Sequence, residues 1–223
     1  VIAPSGYDAV LFDLDGTLLD TAPEFVAAIG RLREERGLEP LAAAVVRAAV
    51  SQGGAAMLRA AFPGWDESDR ALLDRFLSLY RERIGADTVL FPGVDDVLAR
   101  LEHGAVPWGI VTNKPRWLTE PLLERLGLAG RPRVVVCGDT LARRKPDPDP
   151  VLHACAVLGV APARAVLVGD DERDVAAARA AGAIAVVADW GYSDPGEDAW
   201  GATHRAPDAG ALIDLLGLRP VAA

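Results

Sequence analysis

Asp13 and Asp15 stand one residue apart where the apolar run Ala9-Val10-Leu11-Phe12 ends, in the stretch AVLFDLDGTLLD (9–20), and Gly16-Thr17 follow them. Three other apolar runs end in polar residues in the same manner. After "GIV" come Thr112, Asn113 and Lys114; "VVVCG" leads into Arg143, Arg144 and Lys145; "AVLVG" leads into Asp170, Asp171 and, one helical turn on, Asp174. The set holds several carboxylates, ammonium groups, a hydroxyl and an amide, and His103, His153 and His204 lie apart from it. Carboxylates crowded together repel by about 4 kcal/mol per pair at 4 Å and an effective dielectric of 20, so a divalent cation is the natural remedy. An all-oxygen ligand set favours Mg²⁺. A carboxylate can attack phosphorus to give an aspartyl-phosphate, provided that positive charge, here Mg²⁺ and a lysine, offsets the repulsion between two anions. A residue two positions past the nucleophile reaches the leaving oxygen, so Asp15 is placed to protonate it and then to activate water. Thr112, Asn113 and the backbone N–H groups after Asp13, including that of Gly16, are placed to hold the non-bridging oxygens, with Lys114 beside them.

These residues converge only if strands bring them to one edge. Short apolar runs bounded by turn residues predict strands buried on both faces at 9–12, 106–111, 133–138, 165–169 and 183–188. Helical patterns alternate with them: Leu118, Leu122, Leu123 and Leu126 share a face behind Pro115, expected in the first helical turn; Pro150 opens a second helix towards Gly159, and "ERDVAAARAAG" forms a third up to Gly182. Strand and helix in alternation predict an α/β fold with a Rossmann-like parallel sheet, whose ligands bind outside the carboxyl ends of the strands. Residues 19–87 break the alternation. Phe25, Val26, Ile29 and Leu32 mark one helix there, and Leu72, Leu73, Phe76 and Tyr80 another. The expected organisation is a core of residues 1–18 plus 88–223 and a helical insertion, 19–87, that leaves from the reactive edge, returns through VLFPGV (89–94) and can cover the site as a lid. Arg47 and the SQGG turn (51–54), with Gly54 at its end, are candidates to line a substrate pocket, and Trp190 and Trp200 to rim it.

Length and composition bound the rest. The 223 residues, 51% hydrophobic and 25% charged, suffice for one large core with a smaller insertion. A net charge of −9 argues against a nucleic-acid partner, since polyanion binding needs clustered Lys and Arg. Two cysteines, Cys137 and Cys155, are too few for a disulfide framework and are expected as buried thiols. No stretch approaches a membrane span and the amino-terminal residues lack a secretory pattern, so the expectation is a soluble cytoplasmic protein, monomeric or homodimeric, without a membrane partner.

"DLDGT", "VTN", "KPDP" and "GDDERD", in that order, resemble the four motifs of the haloacid dehalogenase superfamily of phosphatases, and the likeness extends over essentially the whole chain. The resemblance implies Asp13 as nucleophile, Asp15 as general acid and base, Thr112 as phosphoryl ligand and Lys145 as its counter-charge. It implies Mg²⁺ on Asp170, on the side chain of Asp13 and on the backbone carbonyl of Asp15. Asp171 and Asp174 are expected to support the ligands from behind, as partners of metal ligands do, with capping or a salt bridge at the following helix as the alternative for Asp174. Residues 19–87 resemble the α-helical cap placed after the first motif. True dehalogenases share the fold but lack the second aspartate. "DLDGTLLDT", "FPGV", "VTNKP" and "KPDP" are most similar to phosphoglycolate phosphatases. Asp171, where many of those have serine, together with "VSQGG" and "WGYSDPGEDAWGA" (190–202), resembles the branch acting on N-acetylmuramic acid 6-phosphate. The implied activity is hydrolysis of a small phosphorylated metabolite. The alternatives are a phosphomutase resembling β-phosphoglucomutase and a non-catalytic module that binds a phosphorylated ligand.

Overall fold

The computed structural model describes residues 2, 6–196 and 198–221; residues 1, 3–5, 197 and 222–223 lie outside the described residues. In chain order the elements are β1 (Ala9–Phe12), β2 (Leu19–Asp20), α1 (Ala22–Glu34), α2 (Ala43–Arg47), α3 (Gly54–Ala61), α4 (Arg70–Arg83) and β3 (Val89–Leu90). They continue with α5 (Val94–His103), β4 (Trp108–Val111), α6 (Arg116–Arg125), β5 (Val134–Val136) and α7 (Asp149–Leu158). The chain ends through β6 (Ala165–Gly169), α8 (Glu172–Ala181), β7 (Ile184–Ala188), β8 (His204–Ala206) and α9 (Ala209–Leu216).

Six strands form one parallel sheet in the order β5-β4-β1-β6-β7-β8, so β1 lies inside it between β4 and β6. All four residues of β1 and of β4 are buried, as are all five of β6, which is why these segments read as unbroken apolar runs. Leu11, Val111 and Leu167 pack on one face of the sheet under α7 and α8. Val10, Phe12, Trp108 and Val168 face the other way, into an apolar cluster that continues without a break to Phe25, Met57, Phe76 and Tyr80 of the helical insertion.

The insertion is built of α1 to α4, with α1 packed on both α2 and α4. Its outgoing and returning chains are paired by a short antiparallel ladder, Leu19 opposite Leu90 and Asp20 opposite Val89. Behind that ladder the fully buried Glu24 of α1 accepts the backbone N–H groups of Gly85 at 3.0 Å and of Asp87 and Thr88 at 2.9 Å. One carboxylate thus fastens the way out to the way back.

Five of the six sheet strands match the apolar runs of the sequence. The sixth, β8, is the three-residue edge segment His-Arg-Ala, too short and too polar to stand out, and the two-residue β2 and β3 carry no pattern at all. Pro115 does not occupy the first helical turn as expected. It is the capping residue, with an extended backbone (ψ 152°), and the helix begins at Arg116. Cys137 and Cys155 are buried free thiols, and among the described residues no helix is long and apolar enough to cross a membrane.

Candidate active site

Register places the polar residues side by side. Phe12 pairs with Ile110 on one flank and Val168 on the other, so three chains emerge from the sheet at one level. The ladder runs one step further on each side: the Asp13 N–H donates to the Val168 carbonyl and the Thr112 N–H to that of Val136, both at 2.9 Å. Asp13, Thr112 and Asp170 therefore sit immediately past the strand ends.

Lys145 arrives from the long connection after β5. The Asn113 amide donates to the Lys145 carbonyl at 2.9 Å, fixing the backbone there, while the Asn113 Oδ1 is buried without a hydrogen-bond partner among the described residues. The buried ammonium donates to Asp174 Oδ1 at 2.5 Å and to the Val111 carbonyl at 2.6 Å, and lies 2.8 Å from Asp13 Oδ1 as an ion pair. Burial alone would lower its pKa; the Asp13 and Asp174 charges outweigh that and raise it, so the lysine stays cationic.

Asp170 is fully buried, and three donors hold its carboxylate: the Thr17 hydroxyl on Oδ1 at 3.1 Å, and the Ser51 hydroxyl and Tyr192 N–H on Oδ2 at 2.8 and 2.9 Å. Gly16 permits this arrangement. It has φ +90°, and a Cβ there would fall 2.3 Å from Asp170 Oδ2. Gly169 does the same for Asp174, whose Cγ would lie 2.3 Å from a Cβ at that position. Asp174 folds back over the start of α8, its Oδ2 accepting the Asp171 N–H at 3.1 Å, while Asp171 caps the helix by accepting the Arg173 N–H at 3.0 Å. Oxygens of Asp13, Asp170 and Asp174 lie within 4.8 Å of one another. Burial and the nearby Asp13 charge push Asp170 up to about 7, and burial, with the same crowding, raises Asp174 against the opposing pull of Lys145.

With all three carboxylates ionised, the one ammonium leaves two negative charges, the complement of a divalent cation. The donors are all hard oxygens, and Asp13 Oδ1 is buried with no aligned hydrogen bond of its own among the described residues, so the residues present fit such an ion. The cluster adds one side chain to the two expected as ligands: Asp174, expected behind them, offers an oxygen alongside Asp13 and Asp170.

Asp15 is held apart from that cluster. The Thr21 hydroxyl donates to Asp15 Oδ1 at 2.6 Å and the Lys114 ammonium donates to it at 3.0 Å. Lys114, expected beside the phosphate ligands, has its side chain buried at the seam with the insertion, 4.8 Å from the Phe25 ring centroid and 4.6 Å from that of Tyr80. Thr112 is also buried, its hydroxyl accepting the Lys114 N–H at 3.1 Å.

The insertion's candidates divide. Arg47 pairs with Asp20 at 3.0 Å and stacks on Tyr192, 4.7 Å from the ring centroid. Gly54 opens α3, and a Cβ there would lie 3.3 Å from Leu73 Cδ1, so its place is a helix–helix contact. Ser51 and Gln52 reach the core: Ser51 bonds Asp170, and Gln52 lines an open cleft of about 500 Å³ with Asp171, Arg173, Tyr192 and Trp200. Trp190 does not line that cleft; its indole donates to the Thr17 carbonyl at 3.0 Å. Tyr192 and Arg173 lie inside stretches that carry the family resemblance, WGYSDPGEDAWGA and GDDERD, but nothing there singles them out, and only the fold reveals their contacts.

The family model for the haloacid dehalogenase-like hydrolases matches residues 10–188, which span the strand ends just described. The chain belongs to that family. It is 50% identical over 185 residues to a phosphoglycolate phosphatase of Xanthomonas campestris pv. campestris, covering 82% of this chain and 84% of that protein. It is 42% identical over 212 residues to an N-acetylmuramic acid 6-phosphate phosphatase of Pseudomonas aeruginosa, covering 93% and 94%. The fold is similar to that of a predicted phosphoglycolate phosphatase from Haemophilus somnus, with a TM-score of 0.84 at 23% identity over 94% of this chain and 98% of that one.

Proposed function

We propose that the protein hydrolyses a small phosphomonoester, 2-phosphoglycolate or N-acetylmuramic acid 6-phosphate, through an aspartyl-phosphate on Asp13, with Mg²⁺ as cofactor. The hydrolase class rests on the family and on relatives named as phosphatases; the chain is a phosphoric monoester hydrolase. The observation that carries the mechanism is the Asp13 carboxylate held 2.8 Å from a buried lysine, in a cluster whose surplus charge is two negative units.

Asp13, Asp170 and Asp174 are the side chains placed to hold Mg²⁺, which would supply positive charge to offset that of an incoming phosphate. Asp13 attacks phosphorus, and the bond from phosphorus to the ester oxygen breaks as the new one forms. Lys145 and the Thr112 hydroxyl stabilise the charge gathering on the non-bridging oxygens. Asp15, oriented by Thr21 and Lys114, gives its proton to the departing alkoxide. The same carboxylate then takes a proton from the water that cleaves the acyl phosphate, which returns both aspartates to their starting state. The core, residues 1–18 plus 88–223, carries this machinery, and the insertion, 19–87, closes over it as a cap.

Phosphate release with Mg²⁺ tests the reading across 2-phosphoglycolate, N-acetylmuramic acid 6-phosphate and hexose phosphates. Asp13→Asn is expected to lose at least about three orders of magnitude in rate, as for removal of a nucleophile. Phosphate release by that variant at the wild-type rate would refute the mechanism, and return of the phosphoryl group to sugar rather than water would make the protein a mutase.

A further inference from the structure

The Asp170 carboxylate is held from two sides of the molecule. Thr17 and Tyr192 belong to the segments flanking the sheet, whereas Ser51 crosses over from the insertion, 119 positions away in the chain. A carboxylate oxygen has two lone pairs. Oδ2 already receives the Ser51 hydroxyl and the Tyr192 N–H, so both of its sites are filled, while Oδ1 receives Thr17 alone and keeps one open.

Ser51 is itself anchored. The turn that carries it is closed by the Gly53 N–H on the Val50 carbonyl at 2.9 Å. Arg173, held by Asp171 at 2.6 Å, donates to the Ser51 carbonyl from the core side. Four residues earlier Arg47 grips Asp20 and the face of Tyr192, whose phenol donates to Asp20 at 2.8 Å. One short stretch of the insertion therefore reaches Asp170 directly through Ser51 and indirectly through Tyr192.

We infer that Ser51 is a positioning residue through which seating of the insertion and binding of a divalent cation at Asp170 favour one another. The inference rests on the cation site proposed above. With the insertion seated, the Ser51 hydroxyl fixes the carboxylate and leaves the open lone pair of Oδ1 as its outward acceptor. With the turn displaced, Asp170 keeps only Thr17 and the Tyr192 N–H, so the carboxylate is less firmly held and a cation must order it further on binding. Partners behind a ligand set its orientation in this way and govern metal affinity. Linkage makes the effect reciprocal, so a cation that gains from the seated state must also stabilise it.

The test uses the full-length protein stripped with EDTA, Mg²⁺ titration by calorimetry, and amide hydrogen exchange across residues 48–53 with and without Mg²⁺. In the wild type, Mg²⁺ is expected to bind and to slow exchange in that turn. Ser51→Ala should bind Mg²⁺ roughly tenfold or more weakly and lose the Mg²⁺-dependent protection, and Ser51→Thr, which keeps the hydroxyl, should restore most of both. An alanine variant that binds Mg²⁺ as tightly as the wild type, or keeps the protection, overturns the linkage while leaving the cation site standing. Asp170→Asn separates the two failures: if it binds Mg²⁺ as the wild type does, the cation site is wrong and the linkage falls with it.

Discussion

The hinge and the strand ends both bury acid, on opposite terms. Glu24 lies fully buried at the hinge, where the insertion leaves and rejoins the core, with three backbone N–H groups on its carboxylate. At the strand ends Asp13, Asp170 and Asp174 crowd within 4.8 Å of one another around a single ammonium. In the first arrangement a single carboxylate is held by backbone donors alone. In the second the charges do not cancel, and that deficit marks a site in a way burial alone does not.

Removing the shared cation should widen the contrast most. Lys145→Ala leaves Asp13 and Asp174 without their common partner, and the metal-free protein is expected to lose about 3–5 kcal/mol in urea unfolding, as when one member of a buried ion pair is deleted. Phosphate release should disappear with it. At the hinge, Glu24→Ala takes the acceptor from three backbone donors, of which that of Thr88 is buried, and should cost about 2 kcal/mol, with Mg²⁺ affinity in the folded protein unchanged. A large change in that affinity would erase the distinction between the two regions.

A pH series separates them next. Asp170, pushed up to about 7 in the fold, holds a proton that the unfolded chain has already released near pH 4. Its contribution is thus present below pH 4 and is lost as pH rises towards 7. The EDTA-treated protein should lose on the order of 2 kcal/mol between pH 5 and pH 7, and saturating Mg²⁺ should abolish that decline; an identical slope in both would count against the cluster as a cation site. The smallest effect belongs to the seam. Lys114→Met removes a cation packed against Phe25 and Tyr80 and should lower stability by about 1 kcal/mol, with a fall in kcat where Asp15 loses its restraint, read by denaturation and steady-state kinetics.

How much of this was legible in the sequence follows the same division. The strands under the site are continuous apolar runs whose ends display Asp13, Thr112 and Asp170, and Lys145 stands in the KPDP motif on the connection after β5. Parallel register does the rest, because it puts equivalent ends at one level. Asp174 could be read only as a helix-capping or supporting residue, since nothing in GDDERD tells that Gly169 lets it fold back beside Asp13. The SQGG turn was legible as a pocket candidate, but the bond from Ser51 to Asp170, the contacts of Glu24 and Tyr192 and the aromatic seat of Lys114 join segments far apart in the chain, where local spacing carries no information. β8 escaped for a different reason: a three-residue edge strand has too little burial to impose a pattern.

The apolar mass beneath the sheet does not stop at the hinge. It runs from Trp108 and Phe12 through Leu14, Leu18 and Phe91 into Phe25 and Met57. Swinging the helices wide open would wet that shared interior, so the motion it tolerates is a roll or a slide that keeps oil against oil. The same continuity means that heat should not peel the helices away first: both parts of the molecule melt together or stay folded together.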